Sequence, residues 1–259
     1  MTIAPAWAAI TASKKLPDGA QFTVDGGSLR VQFWSPDIVR LTYAATAELP
    51  AFKSLSVVAS PAPVHLKRDE SGQAFTLSTP SVRVRVEKQT GAVSFLDPVG
   101  HVLLREAADG RRFQPATIAG TSVTSCAQSF ETAADEGIYG LGQHQRGAWN
   151  YNSGDSVRLA QANMDVGVPV ITSSKGYMLL WDNPAVTTIS SSAMGESNAS
   201  PRLLRWSSEC GKAIDYYFCY GDGSIATAMK AYRHLTGDAP LMPKWELGFW
   251  QCKERYASQ

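Results

Sequence analysis

The sequence contains no run of the roughly twenty apolar residues that a membrane-crossing helix needs, so no membrane partner is expected. Its opening stretch, MTIAPAWAAITASKK, is broken by Pro5 and places its lysines after the apolar residues, the reverse of a secretory leader. A cytoplasmic protein is the resulting expectation. Net charge is also lacking: 24 basic and 23 acidic residues leave +1, which argues against nucleic acid as a partner and favours a neutral ligand. Cys126, Cys210, Cys219 and Cys252 are widely separated, with no CxxC pair, and read as ordinary reduced thiols. His65, His101, His144 and His234 lie equally far apart, without HExxH spacing. No metal and no cofactor are therefore expected. A GxSxG elbow and a phosphate-binding P-loop are missing as well. Gly140-Leu141-Gly142 lacks the third glycine and the βαβ setting of a dinucleotide site.

What the chain does contain is alternation. Its 259 residues suit one large all-β domain or two smaller ones. Leu29, Val31 and Phe33 alternate with Arg30, Gln32 and Trp34, and Val39, Leu41 and Tyr43 with Arg40 and Thr42, which is the pattern of half-buried antiparallel strands. The clearest hairpin runs from Val82–Val86 through Gly91 to Ala92–Leu96, and Asp97-Pro98 closes it. Further strands are expected at 118–123, 168–171, 177–181, 203–206 and 213–220, with no helix between them, as in a large β-sandwich.

The pattern changes after Asp222-Gly223-Ser224, which offers an N-cap. Ile225, Ala228, Met229, Tyr232 and Leu235 then share one helical face, and Gly237 ends the helix. Pro240 and Pro243 stiffen the next connection, and Trp245 to Trp250 is apolar enough for a buried strand. The expected organisation is a sandwich over residues 1–221, a linker helix and proline-rich connection over 222–244, and the start of a second domain over 245–259.

Functional residues are most plausibly sought in Glu136 to Asn163, where Gly137, Gly140, Gly142 and Gly147 alternate with Tyr139, Trp149 and Tyr151. Glycines permit sharp turns and close approach, and aromatic rings offer flat faces. The bland reading is a long surface loop with aromatic anchors. Carboxylates that could work in pairs are Asp135, Glu136, Asp155, Asp165, Asp182, Glu246 and Glu254, but no spacing forces two of them together. Asp182, before Asn183-Pro184, is expected to cap a turn through its own backbone.

Several segments together resemble glycoside hydrolase family 31: Tyr139-Gly140-Leu141-Gly142-Gln143-His144-Gln145, Leu159 to Asn163, Gly176-Tyr177 with Trp181-Asp182-Asn183-Pro184, and Pro243 to Tyr256. Lys53 to Val58 fits too, and the Gly-Phe-Trp-Gln-x-x-Glu-Arg-Tyr form of the last segment is most similar to α-xylosidase members. The resemblance implies a mainly β fold: a large galactose-mutarotase-like β-sandwich, a linker helix, and the first strand of a (β/α)₈ barrel that this sequence truncates. It implies a retaining exo-acting α-glycosidase for the whole enzyme. The nucleophile and acid/base aspartates of the family lie on later barrel strands without counterparts here, so the chain alone is expected to be inactive.

The same resemblance places a substrate-facing loop near Gln161 to Asp165, with Gln161 and Asn163 as sugar-binding candidates whose amides can both donate and accept. The competing reading pairs those amides with the loop backbone. Glu254, Arg255 and Tyr256 are the other substrate-binding candidates, at the end of the first barrel strand. Implied partners are the terminal α-linked sugar of an oligosaccharide and the missing barrel domain. Trp149 and Tyr151 are expected as plugs between the sheets, Trp206, Tyr216, Tyr217 and Phe218 as core, and Met229 and Tyr232 as anchors of the helix. Two other readings are a free-standing carbohydrate-binding module and a mutarotase-like epimerase pairing His144 with a nearby carboxylate.

Overall fold

The structure is a computed structural model that describes residues 9–24, 26–145, 147–197 and 199–251. Two antiparallel sheets carry the chain. The first has eight strands in the spatial order Ile10–Leu16, Gly19–Val24, Gly27–Ser35, Ile38–Ala44, Ile214–Tyr220, Tyr177–Trp181, Val166–Ser173 and Ile138–Gln143. The second has ten. Nine run in the order Ser156–Leu159, Thr187–Ala193, Arg202–Ser208, Thr121–Thr132, Val102–Glu106, Val93–Leu96, Arg83–Glu87, Ala74–Ser78 and Lys67–Asp69, and Arg112–Ile118 also pairs with Thr121–Thr132.

Period-two alternation decides which side chains enter the space between the sheets. Phe95, Phe130, Trp181, Trp206, Tyr216 and Phe218 fill it and are completely buried. Phe95 stacks on Phe218 at 4.2 Å between ring centroids, and Trp181 on Trp206 at 5.7 Å, each such pair adding about 0.5–1.5 kcal/mol beyond its burial. Trp206, Tyr216, Tyr217 and Phe218 are thus core residues, as expected. The mainly β architecture of two packed sheets is the expected one, as is the hairpin joining Arg83–Glu87 to Val93–Leu96.

A second core lies on the outer face of the eight-stranded sheet. Trp34, Ile38, Met178, Leu180, Tyr217 and Cys219 meet Ala228, Ala231 and Leu235 of the helix Ile225–Thr236 there. Ser224 caps that helix, its hydroxyl accepting from the Thr227 amide, and Gly237 ends it with φ +83°. The docked stripe is the expected one in part: Ala228, Tyr232 and Leu235 face the sheet as expected, Ala231 joins them, and Ile225 and Met229 are exposed instead. Small alanines let the helix approach Tyr217 closely, which a stripe containing Met229 would not. The helix end is tied back to the sandwich, because the Val58 and Ala59 amides both donate to the Leu235 carbonyl.

Two further expectations change. Residues 118–123 are not one strand, since Ala119 (φ 47°) and Gly120 (φ 80°) turn the chain between Arg112–Ile118 and Thr121–Thr132. Residues 245–250 are not a buried strand either. Lys244–Leu247 forms a 3₁₀ turn, with Trp245, Leu247, Phe249 and Trp250 exposed. A strand needs neighbours for its backbone groups; here the Glu246 and Gly248 amides find local carbonyls of Pro243 and Trp245 instead.

Candidate functional site

The site forms at one edge of the eight-stranded sheet, around the glycine-rich strand Ile138–Gln143. Gly140, Leu141 and Gly142 all have positive φ (112°, 63° and 95°), and the register against Val166–Ser173 shifts between Gly140 and Gly142. Glycine is required at position 142: a Cβ would lie 1.9 Å from the Val166 carbonyl oxygen. A bulge of this kind frees a carbonyl and re-aims the following side chain. The Leu141 carbonyl meets Nε2 of His144 at 2.8 Å, while Nδ1 of the same ring stands 3.7 Å from Oδ1 of Asp165.

Asp165 closes the segment expected to face substrate. After Ser156–Leu159 in one sheet, the chain crosses to Val166–Ser173 in the other through a tight turn with Asn163 and Met164 at its tip. Ala162 and Asp165 exchange both backbone hydrogen bonds, at 3.3 and 3.2 Å, and Met164 sits in the left-handed region with φ 67°. Gln161 braces the base: its amide donates to the Gly167 carbonyl at 3.1 Å and accepts from the Gly167 amide at 3.3 Å. The backbone-pairing role weighed for Gln161 is therefore the one its side chain plays here. Asn163 is exposed at the tip and makes no side-chain hydrogen bond to a described residue. Glu254, Arg255 and Tyr256 lie outside the described residues.

Clefts flank this turn on both sides. One, of about 290 Å³, is lined by Phe52, Leu55, Gln161, Pro169, Trp181 and Asp182. The other, of about 360 Å³, is lined by His144, Tyr151, Asp155, Arg158, Ala162 and Asp165. Tyr151 is buried, as expected of a plug, and Trp149 is not: it is 79% exposed. The side chain of its neighbour Asn150 bonds the Ile138 and Asn152 amides, which turns the chain so that only alternate aromatics face inward.

Buried charges hold the scaffold beneath. Glu136, at the foot of the edge strand, accepts from the Ser173 and Tyr177 hydroxyls at 2.6 Å each, from Lys175 at 2.9 Å and from the Ala133 amide at 3.2 Å. Burial, reinforced by the Glu136 charge, raises the Tyr177 phenol well above its ordinary range and keeps it a donor. Under the outer core, Arg40 forks onto both oxygens of Asp215 at 2.9 and 2.6 Å. Burial nonetheless pushes the Asp215 carboxyl up to about 6, against the pull of Arg40.

Burial also raises Asp182, against a hydrogen bond from Ser54 and the Arg40 charge. Asp182 does not cap the turn as expected. That role belongs to Asn183, whose side-chain oxygen accepts from the Ala185 amide at 2.8 Å, because the Asp182 side chain turns inward to Ser54. These carboxylates are committed to structural partners. Among the described residues no group of three or more His, Cys, Asp or Glu side chains is placed to hold a metal. At the turn itself the exposed Asn163 amide is neutral, while Asp155, Arg158 and Asp165 line one flanking cleft and Asp182 the other.

The family model for the glycosyl hydrolase 31 N-terminal galactose mutarotase-like domain matches residues 28–189, and the chain belongs to this family. An alpha-xylosidase of Saccharolobus solfataricus is 37% identical over 241 residues, covering 90% of this chain and 31% of its own length. The chain thus spans about a third of that relative. Among solved structures, a GH31 alpha-xylosidase from a soil metagenome complexed with xylose superposes with a TM-score of 0.79 at 27% identity, over 95% of this chain and 37% of the other. A GH31 alpha-xylosidase from Xanthomonas citri gives the same TM-score at 23% identity, over 95% and 42% respectively, which shows the shared fold.

The pairing of His144 with Asp165 and the exposure of Trp149 were not readable from spacing. The only sequence hint of the first was a histidine two residues beyond a G-x-G bulge.

Proposed function

We propose that this chain is the N-terminal part of a retaining, exo-acting α-glycosidase acting on an α-xyloside or α-glucoside, in which it serves as scaffold and as one wall of the substrate pocket. The observation that carries the reading is the braced turn at 161–165. It holds an exposed neutral amide, Asn163, at the edge of a rigid sheet, between two clefts. Uncharged sugar hydroxyls need groups that donate and accept without charge, and an amide does both. Gln161 then acts from behind by fixing the turn, and Asn163 contacts sugar. Glu254, Arg255 and Tyr256 complete the wall in this reading, with residues 1–221 as sandwich, 222–244 as connection and 245–259 as entry to a barrel. The alpha-xylosidase relative and the xylose complex support the substrate class.

Catalysis by this route requires two carboxyl groups about 5–5.5 Å apart across the sugar. In this reading the catalytic carboxyl groups belong to the barrel, so residues 1–259 alone are inactive. The test is hydrolysis of nitrophenyl α-xyloside and α-glucoside by the complete gene product and by residues 1–259. The expected results are activity in the first only, and in the complete enzyme a KM about tenfold higher for Asn163→Ala with kcat little changed, as for loss of about 1.4 kcal/mol of uniform binding. Turnover by residues 1–259, or an unaltered KM in the variant, would sink the reading.

A further inference from the structure

We propose that Trp149 and Tyr139 form a platform for a neutral saccharide unit, a sugar-binding site separate from the Asn163 turn. Trp149 is the tryptophan expected in the core that the fold instead places in solvent, at 79% exposure, and it has no ring partner among the described residues. The other exposed pair, Trp245 and Trp250, at least cover each other, with ring centroids 5.9 Å apart.

Trp149 is also held in place. Ala148 on one side packs against the main core. On the other, Asn150 accepts from the Ile138 and Asn152 amides at 3.1 Å each, and Tyr151 is buried. A flat ring fixed at both backbone neighbours loses little entropy on binding, which is the condition for a recognition platform.

Tyr139 supplies the second face. It is 37% exposed and lies along the backbone of Gly137, where a Cβ would come within 2.2 Å of its hydroxyl oxygen. Both rings line an open depression of about 560 Å³, together with Gly140, Gly142, Gln143 and His144. No Lys, Arg, Asp or Glu lines it among the described residues. Aromatic faces stack on the C–H faces of a sugar ring, the Gln143 amide can donate to and accept from its hydroxyls, and nothing there selects a charged ligand.

His144, Ala148 and Tyr151 border both this depression and the cleft beside the turn. A saccharide whose terminal unit sat at Asn163 would extend its next units across Trp149. That extension rests on the pocket-wall reading; the platform itself does not.

The experiment uses residues 1–259 and nitrogen-labelled indoles. Isomaltotriose and a xylose-substituted gluco-oligosaccharide are titrated to tens of millimolar while tryptophan side-chain N–H resonances are followed by NMR. The expected result is a saturable shift of the Trp149 indole, with those of Trp181 and Trp206 unmoved. Trp149→Ala, at a position exposed enough to leave folding intact, weakens the dissociation constant about tenfold, and Trp149→Phe recovers part of the loss. An unmoved Trp149 indole, or equal affinity in Trp149→Ala, overturns the proposal. Failure of the Asn163 variant in the complete enzyme would sink the pocket wall and leave this result untouched, so the two ideas fail separately.

Discussion

Two strands of the same eight-stranded sheet show opposite ways of using sequence. Ile214–Tyr220 lies in the middle, buried at all seven positions and in unbroken register with both neighbours. Ile138–Gln143 lies at the edge, with four of its six residues exposed, three consecutive residues at positive φ and a register shift. The central strand has a core on either side. Ile214, Tyr216 and Phe218 face the other sheet, while Tyr217 and Cys219 face the helix, so every side chain is fixed by its neighbours. The edge strand has one neighbour only, and beside it Trp149 and the tip of the Asn163 turn are left in solvent. Rigidity is concentrated at the centre of the sheet, and the irregular edge draws its order from it.

The sharpest way to break this contrast is at the charge pair of the central strand. Arg40→Met leaves the buried Asp215 carboxylate without its partner, and a loss of about 3 kcal/mol is expected at pH 7 by urea unfolding, the lower part of the range for such pairs because the carboxyl can take up a proton. A loss below about 1 kcal/mol would mean the centre is not determined by this pair.

A second effect, of similar size but spread over a range of pH, follows from the same carboxyl. Its pKa is raised from 3.8 to about 6, so between these values the folded state binds more protons than the unfolded state. Its contribution to stability is then complete below about pH 3.8 and is lost as pH rises through about 6. Unfolding free energies of the wild type should fall relative to those of Asp215→Asn by roughly 3 kcal/mol across that window, two pKa units at about 1.4 kcal/mol each. A difference independent of pH would refute the assignment.

The smallest effect belongs to the edge. Met164 holds a left-handed conformation that costs a non-glycine residue about 1–2 kcal/mol, part of which glycine gives back through its unfolded-state entropy. Met164→Gly should therefore raise stability by no more than about 1 kcal/mol, read by thermal or urea unfolding. A clear loss would show that the tip is fixed by contacts of the Met164 side chain, and the edge would be as closely determined as the centre.

The fold was largely legible because alternation is a local signal: Leu29 to Phe33, Val39 to Tyr43 and the hairpin 82–96 each show their dry face without reference to anything distant. Ser224 and Gly237 likewise announced the helix ends. Its docked face was right at Ala228, Tyr232 and Leu235 and wrong at Met229, since Met229 and Ala231 both satisfy helical spacing and only the sheet opposite chooses between them. The site was legible in part. Gln161 and Asn163 share one short turn, yet the bond from Gln161 to Gly167 depends on how the chain crosses between sheets.

Determined by the sequence alone were most of the strands, many of the turns at its glycines and prolines, the helix boundaries and the balanced charge, because each depends on residues a few positions apart or on composition. Tertiary structure alone decided that Trp149 is exposed, that Asp215 meets Arg40 across 175 residues, and that His144 reaches Asp165. Burial and electrostatics depend on which strands become neighbours, and that is fixed only when the two sheets close over their common core.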